Sequence, residues 1–152
     1  GGASRSDSVA AGLGALGTDC AVVVVHDGAR PFVERAVIDA VIAHARRGEP
    51  AIAAVPLSDT LKEAAASDPS RIVRTLPREH LWRAQTPQAF PRSVLTAAHQ
   101  RAAAEGRTGT DDAELVELSG VPVRLVPDST RNLKITTPDD LALAEIMAES
   151  RP

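Results

Sequence analysis

Asp27 and Arg30 stand three residues apart in His26-Asp27-Gly28-Ala29-Arg30-Pro31, directly after the apolar run at residues 21–25. Ligands of open α/β sheets sit beyond the carboxyl ends of strands. A carboxylate there is a natural ligand for Mg²⁺ shared with phosphates. Gly28 permits close approach of the backbone, and Arg30 would contact phosphate or clamp the loop. The competing reading is a loop salt bridge between Asp27 and Arg30. Lys134 is a second candidate, because of 17 Lys and Arg residues only Lys62 and Lys134 are lysines. A compact ammonium between Leu133 and Ile135 suits a point contact to phosphate, and equally suits snorkelling from a sheet edge. Gly1-Gly2-Ala3-Ser4-Arg5-Ser6-Asp7-Ser8 is a loop entering a helix. Its N–H groups would bind an anion or a base edge, or would simply be capped. Asp59, Thr60, Lys62 and Arg78 fall in a stretch whose basic groups would bind phosphate across a subunit boundary. A solvated charged hairpin is the plainer alternative.

Other chemistries are excluded or weakened. Gly12-Leu13-Gly14-Ala15-Leu16-Gly17 matches G-x-G-x-x-G, but it closes a helix and precedes a strand, whereas a dinucleotide site needs the reverse order. There is no Walker A motif and no zinc-type Cys/His spacing. Spacing supports no Ser-His-Asp constellation. His44 and His99 fall within helical patterns and are expected at the surface. Cys20 is alone, so no internal disulfide forms, which fits a reducing, cytoplasmic setting. A net charge of −3 argues against non-specific nucleic-acid binding, and only Phe32, Trp82 and Phe90 are aromatic, too few for base-stacking platforms. No apolar run approaches the roughly 18 residues of a membrane span. With 152 residues and 43% hydrophobic content, one ordered domain is expected, with a core of Ala, Val, Leu and Ile.

The elements that must position these groups follow from periodicity. Residues 6–16 read as a helix, with Val9, Leu13 and Leu16 on one face. Residues 21–26 read as a buried strand, 33–47 as a helix ended by Gly48, and 51–55 as a second buried strand. This alternation predicts a parallel α/β sheet. Residues 57–88 read as a projecting arm, with strand-like runs at 60–63 and 72–76 around a polar turn at 66–70. Residues 91–105 read as a helix that starts at a proline, and Thr110-Asp111-Asp112 opens another to about 118. Residues 123–126 read as a strand, and 132–135 as a further one. Thr137-Pro138-Asp139-Asp140 is a helix start with an N-cap, a proline and a carboxylate at the third position.

In combination the motifs resemble the 2-C-methyl-D-erythritol 4-phosphate cytidylyltransferase family. The segment from Gly1 to Val9 is similar to G-G-x-x-R-x-x-S-V, and His26 to Pro31 to H-D-x-A-R-P. Asp59 to Lys62 resembles D-T-[LMV]-K. Arg78 to Phe90 resembles R-x-x-L-W-x-A-Q-T-P-Q-x-F. Thr110 to Ala113 resembles T-D-[DE]-A, and Asn132 to Leu141 resembles N-[LI]-K-[IV]-T-x-P-[DE]-D-L. Six motifs occur in order, from Gly1 to about Glu145.

The resemblance implies a Rossmann-like nucleotidyltransferase fold, three-layered with a mainly parallel sheet and a projecting β-arm, acting as a homodimer through that arm. It implies transfer of CMP from CTP to methylerythritol phosphate with Mg²⁺, in isoprenoid precursor synthesis. It assigns Asp27 to the metal, Gly2 and Ser8 to the cytosine, and Arg78 and Lys134 to positioning the polyol phosphate. It places Thr110 near that substrate and sends Thr60 and Arg78 to the partner subunit's site. It also implies a preceding first strand and glycine-rich loop of about seventy to eighty residues, carrying an Arg and a Lys for the triphosphate. The chain is therefore expected to be one partial domain, poorly stable and inactive alone. The alternatives are a ribitol 5-phosphate cytidylyltransferase and a non-catalytic dimerisation module. Asp59-Thr60-Leu61-Lys62 and Leu81-Trp82-Arg83-Ala84 favour the methylerythritol enzyme over the ribitol one.

Overall fold

Four consecutive valines form β1 (Val22–Val25), and five of the six residues of β2 (Ala51–Pro56) are buried. β2 lacks polar alternation because helices cover the sheet around it, whereas β1, expected to be buried, lies at the sheet edge with only Val23 buried and Val24 exposed. In this computed structural model, which describes residues 2–150, the two strands do not touch. Gly1, the first residue of the glycine motif, lies outside the described residues. The strand between them is β5 (Trp82–Pro91), antiparallel to both, and β6 (Arg124–Pro127) pairs parallel with β2. The order is β1-β5-β2-β6: three strands share one direction and β5 opposes them. The α/β architecture is the expected one.

The arm differs from its expected extent of 57–88. The separate two-stranded sheet is a hairpin of β3 (Leu61–Ala65) and β4 (Asp68–Leu76). Residues 82–88 instead lie at the centre of the main sheet. Polar Gln85, Thr86 and Gln88 and two prolines disguise this strand in the sequence. Ile52 pairs with Gln88 and Ala54 with Ala84, so β5 carries extra residues opposite Ala53. Such a bulge accommodates Pro87 and turns its neighbours out of the ladder. A second difference concerns residues 132–135, which form no strand. That segment is a loop whose Ile135 N–H donates to the Ala29 carbonyl at 2.8 Å.

Helices cover both faces of the sheet. On one face α2 (Arg35–Arg46) buries Val37, Val41 and Ala45 against Ala51, Ala53, Ala89 and Val126. Those residues are spaced by four, the period of one helix face. The alanines beneath let the helix approach closely. On the other face lie α1 (Arg5–Ala15), α3 (Arg92–Ala104) and α4 (Asp112–Leu118), packed with Phe90 and Ile52 into a second core. Successive residues of one strand, Ala89 and Phe90, serve the two faces. No helix among the described residues is long and apolar enough to cross a membrane.

The last helix, α5 (Pro138–Glu149), begins with the expected capping box: the Thr137 hydroxyl accepts from the Asp140 N–H. The Asp140 carboxylate accepts from the N–H groups of Thr136 and Thr137 and from the Thr136 hydroxyl. The backbone N–H and hydroxyl of Thr136, helped by Thr137, lower its pKa from 3.8 to about 2. A carboxyl depressed in the folded state stabilises that state fully above its unfolded value. The contribution is therefore complete above about pH 4 and lost as pH falls towards 2. In the full-length protein, a carbon-13 titration of the Asp140 carboxyl should show a midpoint near 2. A midpoint near 3.8 would mean the box is open in solution.

Candidate active site

Asp27 lies in the loop after β1, 17% exposed at its side chain and surrounded by cations. The Lys134 ammonium is 3.0 Å from Oδ2, Arg30 Nε 3.7 Å from the same oxygen, and Arg5 Nε 3.8 Å from Oδ1. Partial burial by itself would raise the Asp27 pKa. Lys134, Arg5 and Arg30 together outweigh it and hold the carboxyl below its usual value. Of the three cations only Lys134 meets Asp27 at hydrogen-bond length; Arg5 lies closer to a second carboxylate, Asp112 Oδ2, at 2.7 Å. Burial pulls the Arg30 guanidinium below its ordinary pKa, and nearby Arg83 adds to this. Asp27 and Asp128 oppose it.

Each cation is delivered by a different element. Arg5 is the first residue of α1, whose start is fixed by Ser4 and Asp7. Arg30 is held by its own turn, its N–H donating to the Asp27 carbonyl at 3.0 Å, and by its Nη1 donating to the Asn132 carbonyl at 2.7 Å. Lys134 is carried by the 132–135 loop. That loop is pinned where Asn132 Nδ2 donates to the Thr86 carbonyl at 2.8 Å and to Asp128 Oδ2 at 2.7 Å. Gln85 Nε2 donates to the Asn132 carbonyl at 3.1 Å. Buried polar side chains of the β5 bulge thus hold two loops in register.

Thr86 completes the floor. Its hydroxyl oxygen accepts from the Asp27 N–H at 2.9 Å and lies 3.0 Å from His26 Nδ1. His26 Nε2 lies 3.1 Å from the Arg30 carbonyl. A carbonyl only accepts, so Nε2 bears the proton there and Nδ1 accepts from the Thr86 hydroxyl. His26 is a packed, loop-orienting histidine.

These groups line an open polar pocket of about 240 Å³ that contains Arg5, Asp27, Arg30, Thr110 and Lys134. Thr110 is present as expected, but its N–H and hydroxyl both donate to Glu114 Oε2, at 2.6 and 2.8 Å. Gly2 and Ser8 bracket the turn that supplies Arg5, with the Gly2 N–H donating to the Ser8 hydroxyl at 2.9 Å. A Cβ on Gly2 would fall 2.2 Å from Asp7 Cβ, so only glycine fits. Thr60 and Arg78 are not brought to the pocket within one chain. Thr60 directly precedes β3, and Arg78, between β4 and β5, donates to the Ser58 carbonyl.

Sequence reasoning overlooked two groups. Asp112 is almost fully buried, with Oδ1 2.9 Å from His99 Nε2 and Oδ2 2.7 Å from Arg5 Nη1. His99, expected at the surface, is itself buried. Burial would raise the Asp112 carboxyl, but His99 and Arg5 outweigh it and hold it low. The helical spacing of Leu95, His99 and Ala102 was the available signal, since it puts His99 on the apolar side of α3.

The family model described as "IspD: 2-C-methyl-D-erythritol 4-phosphate cytidylyltransferase" matches residues 1–150. A cytidylyltransferase of that name from Syntrophus aciditrophicus is 50% identical over 145 residues, 95% of this chain and 61% of the relative. A "Bifunctional enzyme IspD/IspF" from Desulforudis audaxviator is 51% identical over 152 residues, all of this chain and 38% of the relative. The crystal structure of the cytidylyltransferase from Thermus thermophilus superposes with a TM-score of 0.88 at 41% identity, covering 98% of this chain and 71% of that one. The chain thus spans about three-fifths of the single-activity relative.

Proposed function

We infer the function from one premise: the chain belongs to the 2-C-methyl-D-erythritol 4-phosphate cytidylyltransferase family. The full-length protein transfers CMP from CTP to 2-C-methyl-D-erythritol 4-phosphate and releases pyrophosphate, in the cytoplasm, supplying isoprenoid precursors. The observation that carries this reading is the convergence of Arg5, Arg30 and Lys134 on Asp27.

The chemistry asks for what that pocket offers. The nucleophile is a phosphate oxygen of the polyol phosphate, already anionic, so no general base is required. Its bond to the α-phosphorus of CTP forms as the bond from that phosphorus to the bridging oxygen breaks, and pyrophosphate leaves with the electron pair. Two anions must approach, and fixed positive charge offsets their repulsion. Lys134 and Arg30 hold the attacking phosphate in line. Gly2 and Ser8, on the turn before Arg5, receive the cytosine edge.

Mg²⁺ commonly takes one or two carboxylates and completes its shell with substrate phosphates and water; Asp27 offers one carboxylate, whose Oδ2 is at present met by Lys134 at 3.0 Å. Asp27 is the residue that would hold it. The ion would supply charge neutralisation at the transferring phosphoryl group. Neither nucleic acid nor a membrane is a partner.

The exposed hairpin supports a homodimer. Ile72 and Val73 are more than half exposed, and an isolated two-stranded hairpin is marginal in water. Thr60 and Arg78, at its base, then act in the partner's site. Mixing Arg78→Ala and Asp27→Asn chains, each inactive alone, should restore about a quarter of wild-type activity through mixed dimers with one intact site. No recovery would place Arg78 in its own chain's site.

The deciding assay is pyrophosphate release from CTP by the full-length protein with Mg²⁺. Turnover with methylerythritol phosphate alone is expected. Turnover with ribitol 5-phosphate, or with neither polyol phosphate, overturns the assignment.

A further inference from the structure

A chain of contacts runs from the buried interior of the helical layer to the pocket. His99 Nε2 is 2.9 Å from Asp112 Oδ1, Asp112 Oδ2 is 2.7 Å from Arg5 Nη1, and Arg5 Nε is 3.8 Å from Asp27 Oδ1. The side chains of His99 and Asp112 are only 8% and 1% exposed. We propose that His99 is a positioning residue for nucleotide binding, acting through Asp112 to aim Arg5 at the pocket.

The argument rests on how few donors Asp112 has. A buried carboxylate must be paired on both oxygens or it destabilises the fold. At Asp112 one oxygen faces His99 and the other faces Arg5. With Oδ1 held by His99, the carboxylate plane cannot rotate, and only Oδ2 is offered to Arg5. The guanidinium therefore engages Asp112 through Nη1 and leaves Nε directed at Asp27. Arg5 Nη2 and Asp112 Oδ2 are both shielded and without a hydrogen-bond partner, so the two groups meet as a 2.7 Å ion contact that has not closed into a two-pronged pair.

Without the His99 donor, that balance changes. Both Asp112 oxygens become free to take two nitrogens of Arg5, the geometry that guanidinium and carboxylate prefer. Arg5 then withdraws from Asp27. Because Arg5 is the first residue of α1, the withdrawal also displaces the turn between Gly2 and Ser8. The inference rests on the proposed cytidylyl transfer, since it takes that turn as part of the nucleotide site.

The test uses the full-length protein and separates the two ideas. Wild-type turnover with CTP and methylerythritol phosphate tests the activity. The variants His99→Leu and His99→Met, which cannot donate, test the inference. Their KM for CTP should rise about fivefold to tenfold, a size usual for coupling through one residue, while KM for the polyol phosphate stays unchanged. His99→Gln, whose amide can donate to Asp112, should restore KM for CTP. A purely structural role would lower thermal stability and leave KM for CTP at its wild-type value, and that result overturns the proposal. A measurement on the unmodified protein guards against variants that fail to fold. The ring nitrogen-15 signals of His99 should move on titration with CTP, and unmoved signals overturn the proposal as well.

Discussion

Asp27→Asn should lower kcat of the full-length protein by about 10³-fold while KM for the polyol phosphate stays level or falls. The loss follows from the chemistry proposed for the carboxylate. Charge placed at a transferring phosphoryl group is commonly worth 10²–10³-fold per group, and Asp27 is the proposed anchor of the ion as well as the hub for three cations. Asn keeps the size and can still face the Lys134 ammonium through its carbonyl. It cannot neutralise Arg5, Arg30 or Lys134, so the pocket becomes more positive. Ground-state binding of a phosphate is then no weaker, and the penalty appears in kcat. Steady-state pyrophosphate release, with both substrates varied, reads the two constants separately. A kcat within tenfold of wild type would remove Asp27 from the centre of the chemistry. An unchanged kcat with a raised KM would make it a ground-state binding residue instead.

Phe90→Ala should cost about 3–5 kcal/mol of folding stability, the range for truncating a buried aromatic side chain. Phe90 has no exposed surface and belongs to the core that joins α1, α3 and α4 to the sheet. It sits on β5, opposite Val23 of β1, so the cavity opens at the seam between strand and helices. A protein typically has only about 5–15 kcal/mol in total, so this one change removes a large share. Urea unfolding of the full-length protein would show a lower midpoint at unchanged slope. A loss below about 1 kcal/mol would contradict the central place of β5 in the sheet.

The two variants probe different kinds of information. Asp27 was legible because its signal is local: a valine run, then a short loop with a carboxylate, a glycine and an arginine. The same holds for the caps. Asp111 accepts from the Glu114 N–H and Thr137 from the Asp140 N–H, each three residues away, so neighbouring residue types alone specify those helix starts. Leu13 and the Val37, Val41, Ala45 face were equally readable from helical spacing.

Position in space decided the rest. Residues 82–91 carry no strand periodicity, because Gln85, Thr86 and Gln88 are buried by partners far away in the chain. Those partners are Asn132 for Gln85, Asp27 and His26 for Thr86, and Asp111 for Gln88. A polar residue is expected outside until its distant partner is known, so the sequence of this strand resembles part of an arm. His99 was expected at the surface for the same reason: its partner Asp112 lies across a turn, and Asp112 in turn needs Arg5 from the other end of the chain. Lys134 stands out by its rarity, but its place as the nearest cation to Asp27 depends on a loop that bonds through Asn132 and Ile135 hold in place. The sequence by itself determined most of the local helices and strands and marked the loop carboxylate Asp27, because neighbours in the chain control those features. Only the tertiary structure decided which buried charges meet, since opposite charges far apart in sequence become partners only when packing removes the water that otherwise solvates them.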